Sequence, residues 1–473
     1  KRVAAGNLFF ALDGSRRDGR DFIGDAIKAG AAAIVTGMAP LAKDISNLAQ
    51  QATIPILQCE NPRRVMAKMA AIHWSSQPGM VAAVTGTNGK TSTTEFLRQL
   101  WQRATWLAIA VGTLGITGTD MIKSDGALLS LPPLTTPDSI SLHATLAPLT
   151  KAGVTHLALE ASSHGLEQHR LDGLNIHIAA FTNLSRDHLD HHIDMDRYFA
   201  AKHRLFTDLL SEGGAAIINL DDQYSAAIID SLQDRHIVIK TFGYAEDADF
   251  HILSITPSGD GLDMKVIYQD QTWDIPLALS GTFQAINALT AAIMAHLGGL
   301  PLHDALGALP YLKAAPGRMQ TIHGHPTGAR VIVDYAHTPD ALAAALGALR
   351  PEASGKLVVI FGCGGDRDLG KRAMMGKVAC KIADEVIITD DNPRSEDPAS
   401  IRSAILKSCD KATEIVPRDK AIASALGNLV AGDVLLIAGK GHETGQLIGN
   451  ETLPFDDVSV ANNKIRTMRK ALQ

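Results

Sequence analysis

Cysteine is scarce in this chain: four cysteines occur in 473 residues, and none belongs to a Cys-x-x-Cys pair. Such scattering offers neither a zinc-binding framework nor a disulfide framework. We therefore expect a protein of a reducing compartment, the cytoplasm. Aromatic residues are also few, at 5%, whereas 46% of the residues are hydrophobic and 20% are charged, as in ordinary globular proteins.

Positive charge is in deficit, with 44 basic against 50 acidic residues and a net charge of −6. That balance argues against a nucleic-acid-binding protein, which gathers Lys and Arg on its surface. No apolar run approaches the roughly 20 residues of a transmembrane helix, so we expect small-molecule partners and no membrane span. The opening Lys1–Gly6 has no signal-peptide pattern, and we expect the native N-terminus to lie upstream.

Length and pattern together predict an α/β protein with three domains. At roughly 150 residues per domain, the length suggests about three. We place a small N-terminal α/β domain at 1–79, a central P-loop-type domain with a parallel sheet at 80–315, and a doubly wound, Rossmann-like domain at 316–473. Alternating apolar residues over 249–279 predict a β-hairpin within the central domain.

A glycine loop follows the first strand of the central domain. Residues 80–84 form a short apolar run, residues 86–91 read Gly-Thr-Asn-Gly-Lys-Thr, and residues 92–104 have a helical pattern. Glycines let backbone N–H groups approach a phosphate, Lys90 would reach the β- and γ-phosphates, and the Thr91 hydroxyl would ligate Mg²⁺. The alternative is a Gly-Asn turn capped by threonines.

Two ionisable residues of the central domain stand out. Glu160 ends an apolar run, where a carboxylate near a phosphate loop is a natural Mg²⁺ ligand, although a strand-end acid also often faces water. Lys202 lies on the apolar stripe of a helix predicted over 196–210, four residues after Tyr198. If this lysine is buried, its pKa falls and its neutral amine can react with CO₂ to give an anionic carbamate. The alternative is a lysine that snorkels to solvent.

Charged and glycine-rich loops follow the strands of the third domain. They contain Arg367, Arg394 and Glu443. Two arginines and an acid at neighbouring strand ends suit a zwitterionic amino acid with an extra carboxylate, or equally a solvated charged rim. Arg318, at the joint before this domain, either stabilises a transferred phosphoryl group or forms an ordinary hinge salt bridge.

Motifs in all three domains resemble those of the Mur ligases and of their relative, folylpolyglutamate synthase. The most specific are the loop at 85–91, the Tyr-x-x-x-Lys at 198–202 and the Asp-Asn-Pro-Arg at 391–394. The resemblance implies an ATP-dependent, Mg²⁺-requiring ligase that joins an amino acid to a carboxylate. The Asp-Asn-Pro-Arg motif resembles that of members which add meso-diaminopimelate to the D-Glu γ-carboxylate of UDP-MurNAc-L-Ala-D-Glu, through an acyl phosphate, in peptidoglycan precursor synthesis. We expect a bacterial, cytoplasmic monomer.

The resemblance also implies roles for individual residues. The implied ATP contacts are Gly86, Thr87, Asn88, Gly89, Lys90, Thr91, Ser92, Asn287, Arg318 and Asp334. The implied UDP-substrate contacts are Ser15, Thr135, Thr136, Ser162, Gln168 and Arg170. The implied diaminopimelate contacts are Arg367, Asp391, Asn392, Pro393, Arg394, Gly439 and Glu443. The implied metal ligands are Thr91, Glu160, His188 and Lys202, the last as its carbamate. The implied catalytic residues are Lys90, Glu160, His188, Lys202 and Arg318.

Two alternatives stay open. One is another ligase of the superfamily, such as a lysine-adding Mur ligase or a folylpolyglutamate synthase, against which Arg394 argues. The other is a regulatory nucleotide-binding module that uses the phosphate loop as a switch. Gln284 departs from the family pattern, which usually has asparagine there, so its role is open.

Overall fold

The structure is a computed structural model that describes residues 3–14, 17–121, 131–187, 189–259 and 261–471. Ser15 and His188, two of the predicted site residues, lie outside these described residues. Within the described ranges, no helix has the length and apolarity that a membrane crossing requires. The elements form three main sheets, of three, ten and six strands, and a small two-stranded ribbon.

The N-terminal sheet is parallel, in the order β1-β2-β3. Its strands are β1 (Leu8–Ala11), β2 (Ala33–Thr36) and β3 (Ile56–Gln58). Its helices are α1 (Ile23–Lys28), α2 (Lys43–Gln51) and α3 (Pro62–His73). A small apolar core that includes Ile23 and Ile34 joins the sheet to α1 and α2.

The central sheet has ten strands, in the order β13-β12-β11-β10-β9-β8-β4-β7-β5-β6. The strands are β4 (Met80–Thr85), β5 (Ala108–Gly112), β6 (Gly115–Thr117), β7 (His156–Glu160), β8 (Ile176–Phe181), β9 (Leu210–Asn219), β10 (Val238–Gly243), β11 (Phe250–Ser258), β12 (Gly261–Tyr268) and β13 (Gln271–Leu277). Strands β5, β7, β4, β8, β9 and β10 run parallel, while β11, β12 and β13 pair antiparallel, as the alternation over 249–279 predicted.

Helices cover both faces of this central sheet. They are α4 (Lys90–Arg103), α5 (Ser139–Lys151), α6 (Ser163–Glu167), α7 (Leu189–His192), α8 (Met195–Arg204), α9 (Ser225–Asp230), α10 (Thr282–Leu297) and α11 (Leu302–Gly307). Because side chains alternate along a strand, β4 serves both cores. Ala82 and Val84 pack with α4 and α10, whereas Val81 and Ala83 pack in the core on the α5 face.

The helix that carries Lys202 is shorter than the predicted 196–210. Helix α8 ends at Arg204, and a π-helical turn spans Leu205–Leu209. The wider turn keeps three apolar side chains, Leu205, Phe206 and Leu209, in the core. The Arg235 guanidinium donates to carbonyl oxygens of this turn, and the distance to the Phe206 oxygen is 2.5 Å. Because these carbonyl groups depart from the α-helical hydrogen-bond pattern, Arg235 leaves fewer of them without a donor.

The C-terminal sheet has the order β14-β15-β19-β16-β17-β18. Its strands are β14 (Gln320–Ile322), β15 (Arg330–Asp334), β16 (Leu357–Phe361), β17 (Glu385–Ile388), β18 (Ala412–Glu414) and β19 (Val434–Ala438), and the small ribbon is β20 (Gly445–Ile448) with β21 (Glu451–Pro454). Its helices are α12 (Pro339–Leu349), α13 (Gly370–Ile382), α14 (Pro398–Leu406), α15 (Arg418–Asn428) and α16 (Asp457–Ala471). Strands β15, β19, β16 and β17 are parallel neighbours, so the loops that follow them meet at one edge.

A fully buried ion pair ties α15 and α16 to that edge. Arg418 donates to both carboxylate oxygens of Asp457, at 2.7 Å each, and to the carbonyl oxygen of Ala438, at 2.9 Å. Both side chains are 0% exposed. The pair therefore holds the carboxyl end of β19 in place.

We predict that Asp457→Asn lowers the free energy of unfolding of the C-terminal part by about 3–5 kcal/mol, because the Arg418 charge would stay buried without its partner. Urea unfolding followed by hydrogen exchange in β19 measures the effect. Glu385→Gln, which breaks an exposed pair with Lys356, is the control and should have little effect on stability. Equal losses in the two variants would contradict the prediction.

Candidate active site between the central and C-terminal sheets

The glycine loop is fixed by the strand end beside it. The backbone N–H of Thr87 donates to the carbonyl oxygen of Asn183 at 2.8 Å, and that of Asn88 donates to the Asn183 side chain at 3.0 Å. Gly89 caps α4 with a left-handed φ of 87°. The loop therefore sits at the N-terminus of α4, where backbone N–H groups favour an anion.

The Lys90 ammonium folds back over this loop. Its Nζ donates to the carbonyl oxygens of Gly86 and Thr87, both at 2.8 Å. Burial lowers the pKa of Lys90, against the opposing attraction of Glu160. A partly buried cation that, among the described residues, donates to carbonyl oxygens is placed to turn toward a phosphate.

Three glycines at the site are enclosed by oxygens from other elements. A Cβ at Gly86 would overlap the Thr182 hydroxyl, and a Cβ at Gly89 would overlap the Asn287 side-chain oxygen. A Cβ at Gly112 would overlap the carboxylate of Glu160. These positions therefore need glycine for space as well as, at Gly86 and Gly89, for their positive φ.

Glu160 lies buried at the end of β7. Its carboxylate accepts from the backbone N–H of Thr113 at 2.8 Å and from the Thr113 hydroxyl at 3.1 Å. Burial raises its pKa, while Lys90 pulls that pKa down. The Thr113 hydroxyl also lies 3.1 Å from the Thr135 hydroxyl. The sequence analysis did not predict Thr113 as a site residue, although its position directly after β5 could have indicated it.

Lys202 is buried, with 2% of its surface exposed. Its Nζ donates to the carbonyl oxygen of Gly86 at 2.7 Å and lies 4.6 Å from the centre of the Tyr198 ring. Burial, with a smaller effect of nearby Lys90, holds the pKa of Lys202 well below its usual value. Among the described residues, no hydrogen bond joins Lys202 to Glu160 directly.

A cavity of about 560 Å³ opens between the loop and the third sheet. It is lined by Thr87, Asn88, Gly89, Lys90, Thr91, Ser92, Thr113, Thr135, Glu160, Asn183, Asp187, Phe283, Gln284, Asn287, Arg318, Asp334, Tyr335, Ala336, His337, Thr338, Ala341, Ala344 and Ala345. The glycine loop and Glu160 contribute polar groups to this lining, whereas Phe283 and the alanines of α12 contribute apolar surface. That division suits a nucleotide, with its phosphates at one end and its base at the other.

Gln284 joins α10 to the domain joint. Its side-chain N–H donates to the carbonyl oxygen of Arg318 at 3.0 Å, and its oxygen accepts from Asn287 at 3.1 Å. The Arg318 guanidinium lies 4.5 Å from the centre of the Tyr335 ring. Gln284 thus links α10 of the central domain to Arg318, which also lines the cavity.

The predicted UDP-substrate residues that the structure describes form one hydrogen-bonded group beside Glu160. The Thr136 hydroxyl is buried, 2.8 Å from the carbonyl oxygen of Glu160 and 2.9 Å from the Ser162 hydroxyl. Arg170 donates to the carbonyl oxygen of Thr136 at 2.6 Å and to the Gln168 side chain at 2.8 Å. Ser15 lies outside the described residues, so the structure does not place it with this group.

Lys440 organises the cluster at the strand ends of the third sheet. This lysine is 0% exposed, and its Nζ lies 3.0 Å from the side-chain oxygen of Asn392 and 3.2 Å from the Glu443 carboxylate. The Asn392 side-chain N–H in turn donates to Glu443 at 2.8 Å. Sequence reading missed Lys440, although its position between Gly439 and Gly441 was a usable signal.

Arg394 stands at the rim of the same cluster. It has a left-handed φ of 54°, and its guanidinium donates to the carbonyl oxygen of Gly365 at 2.6 Å. The Asp391 carboxylate lies against Gly439, where any Cβ would collide with it. Pro393 is buried between these residues, whereas Arg367 is exposed.

Tyr335 lies between the nucleotide-sized cavity and this cluster. Burial raises its pKa, and Glu443 and Asp391 raise it further, while Arg318 and Arg367 lower it. Charges from both sides therefore act on one phenol. In the sequence, Tyr335 appears only as part of an Asp-Tyr-Ala-His stretch. The fold was needed to show that this stretch follows a strand of the third sheet.

Comparison with known families identifies the class of protein. A model described as the Mur ligase middle domain matches residues 84–295, one described as Mur ligase, glutamate ligase domain matches 317–441, and one described as Mur ligase family, catalytic domain matches 1–74. The chain belongs to the Mur ligase family.

Individual relatives are more specific. The chain is 46% identical, over 96% of its length and 91% of the relative, to a UDP-N-acetylmuramoyl-L-alanyl-D-glutamate–2,6-diaminopimelate ligase of Bradyrhizobium diazoefficiens. It is 45% identical, over 97% of its length and 91% of the relative, to the protein of the same name from Brucella melitensis. A solved structure of a ligase with this name has a TM-score of 0.71 and 35% identity, and covers 99% of this chain and 93% of that one.

Proposed function

We infer that this chain is an ATP-dependent, ADP-forming ligase that adds meso-diaminopimelate to the D-Glu γ-carboxylate of UDP-MurNAc-L-Ala-D-Glu, in peptidoglycan precursor synthesis. The observation that carries this proposal is the placement of Tyr335, which lines the nucleotide-sized cavity and also lies against Gly441 and His442, next to Glu443 of the Asn392–Glu443 cluster. ATP and an amino acid would then lie side by side. The similarity to ligases of this name over nearly the whole chain supports the same reading.

We propose that each sheet serves one substrate. Residues 1–79 with Ser15 would hold the uridine side, 80–315 would hold ATP, and 316–473 would hold the amino acid. The muramoyl peptide would contact Thr135, Thr136, Ser162, Gln168 and Arg170. All the partners in this scheme are small molecules, and one chain contains every site, so a monomer suffices for turnover in the cytoplasm.

The nucleotide would occupy the cavity with its phosphates on residues 86–92. Asn287 lines the cavity from α10, on the proposed adenine side, and Asp334 accepts from the backbone N–H groups of Met319 and Ala336 at 2.7 and 2.8 Å. A carboxylate held in this way is placed to accept from ribose hydroxyls. Arg318 faces the same space and would stabilise phosphate charge.

The residues present also fit Mg²⁺. Glu160 is a buried carboxylate whose pKa is raised by burial, and a bound cation would stabilise its ionised form. Thr91 would supply a neighbouring hydroxyl ligand, and His188 and the Lys202 carbamate would complete the donors. Bound Mg²⁺ would neutralise phosphate charge during transfer.

The chemistry needs two displacements. The D-Glu carboxylate oxygen attacks the γ-phosphorus of ATP, the bond to the β-phosphate oxygen breaks, and ADP leaves. The neutral amine of diaminopimelate then attacks the acyl carbon, phosphate leaves, and the amine loses a proton as the amide forms. Lys90 and Arg318 would offset charge at the phosphates, while the third sheet orients the amine.

Amino-acid-dependent phosphate release tests the proposal. The full chain, given ATP, Mg²⁺ and UDP-MurNAc-L-Ala-D-Glu, should release phosphate steadily only when meso-diaminopimelate is added, and L-lysine should stimulate little. Stimulation by L-lysine alone would make the chain a lysine-adding ligase. Release that no amino acid alters would favour a nucleotide-operated switch.

Lys440 offers a prediction about the amino-acid site. Because it fixes the orientation of the Asn392 amide and neutralises part of Glu443, Lys440→Met should raise the KM for diaminopimelate by about 10- to 100-fold, the effect expected when a group that orients a ligand-binding residue is lost. The KM values for ATP and the UDP-substrate should stay within about twofold.

Steady-state kinetics with each substrate varied in turn gives the three constants. Lys356→Met, which removes an exposed lysine of the same sheet, is the control. Equal increases in all three KM values would mean that Lys440 only supports the fold.

A further inference from the structure

A second cluster of ligand side chains lies apart from the glycine loop. Glu167 is the last residue of α6, and His191 and His192 are the last residues of α7. One ligand atom from each lies within 4.8 Å of the others. The His191 Nε2 is 2.6 Å from the Glu167 carboxylate, and the His192 Nδ1 is 3.9 Å from the same oxygen.

Two of these side chains are partly exposed, which leaves room for them to close around an ion. The His192 side chain is 0% exposed and lies 5.1 Å from the Tyr198 ring, so its position is fixed by packing. The His191 and Glu167 side chains are 35% and 48% exposed, so both can shift. Zinc–ligand bonds of about 2.0–2.2 Å place tetrahedral ligand atoms roughly 3.3 Å apart. Movements on the order of 1 Å by the two exposed side chains would reach that spacing.

A neighbouring ring supports the arrangement. His164, on α6, stacks on His191 with ring centres 3.9 Å apart. Stacking restricts the plane of the His191 ring, so less freedom is lost when a metal binds. Two imidazoles and one carboxylate form a softer donor set than the oxygen-rich surroundings of Glu160, and they favour Zn²⁺ over Mg²⁺.

We propose that Glu167, His191 and His192 bind a Zn²⁺ ion, with water at the fourth position. The proposal does not depend on the ligase activity. A bound ion would tie α6 to α7 and so stiffen the turn that leads from Glu167 into Gln168 and Arg170. The site would thereby couple metal binding to the segment proposed to hold the UDP-substrate.

Zinc titration of the full chain tests the site. Protein stripped with EDTA and held in millimolar Mg²⁺, to occupy hard-ligand sites, is titrated with Zn²⁺ against a chromophoric chelator. We expect one tight equivalent, which His191→Ala and Glu167→Gln should each weaken by about 100-fold or more, beyond the effect of losing a mere supporting residue. Co²⁺ in place of Zn²⁺ should give the visible absorption of a tetrahedral site.

His303→Ala is the matched control, since His303 is an exposed histidine on α11 and should leave binding unchanged. Both test positions are partly exposed, and circular dichroism with thermal unfolding checks that the variants remain folded. Zinc binding that is absent, or that the two variants leave unchanged, would overturn the proposal. In that case Glu167 and His191 form only a surface ion pair.

Discussion

Replacing Lys202 with alanine is expected to lower kcat for phosphate release by about 10²–10³-fold, the usual effect of removing one electrostatic group from an active site. Lys202 is buried against Gly86, and its lowered pKa increases the fraction of neutral amine that can react with CO₂. Lys202→Arg should be equally impaired, because a guanidinium keeps the positive charge but forms no carbamate.

Two measurements separate the carbamate from the bare lysine. In ¹³CO₂-enriched buffer, the wild-type chain should show a carbamate carbon signal that Lys202→Ala lacks. Formate or acetate should restore part of the activity of Lys202→Ala, since a small carboxylate can take the place of the anion. Lys240→Ala, which removes a partly exposed lysine on β10, should behave as wild type. Full activity in Lys202→Arg would refute a carbamate role.

Replacing Arg394 with alanine is expected to raise the KM for meso-diaminopimelate by about 10²-fold or more, because charge-assisted hydrogen bonds to a carboxylate contribute about 1.5–3 kcal/mol each. The left-handed backbone of Arg394 and its contact with Gly365 aim the guanidinium from the rim, and among described residues no ion pair occupies it. Arg394→Lys should lie between, because an ammonium lacks the planar fork.

The diagnostic quantity is selectivity between amino acids. The kcat/KM ratio of diaminopimelate to L-lysine should fall in Arg394→Ala, since L-lysine lacks the second carboxylate and loses little. Arg350→Ala removes an arginine that follows α12 and pairs with exposed Asp384, and it should keep the ratio. A preserved ratio in Arg394→Ala would place the extra carboxylate elsewhere.

Local sequence pattern predicted the features that lie close together in the chain. The strand, loop and helix around Lys90 follow from adjacent residues. The apolar stripe left two possibilities for Lys202, burial or snorkelling to solvent, and the structure shows it buried. The same stripe predicted too long a helix. The π-helical turn after Arg204 depends on Arg235, which is distant in sequence and supplies donors to that turn.

The sequence pattern did not predict contacts between segments that are distant in the chain. Nothing near Gln284 shows that its amide reaches the carbonyl oxygen of Arg318, because that contact depends on how α10 meets the third sheet. Likewise, the role of a buried lysine such as Lys440 can be recognised only when the fold brings Asn392 and Glu443 beside it. The sequence shows which strand ends carry charged residues, but the packing determines which partners those residues contact.

The three enclosed glycines bear on how this protein could evolve under an inhibitor. Gly86, Gly89 and Gly112 each face an oxygen from another element, so even alanine would displace the loop or the carboxylate of Glu160. Of the three, Gly89 lines the cavity, so an inhibitor that rests on its backbone would contact a position with almost no viable substitutions. Resistance would then have to arise elsewhere on the cavity wall, for instance at the alanines of α12, which a compound can be shaped to avoid.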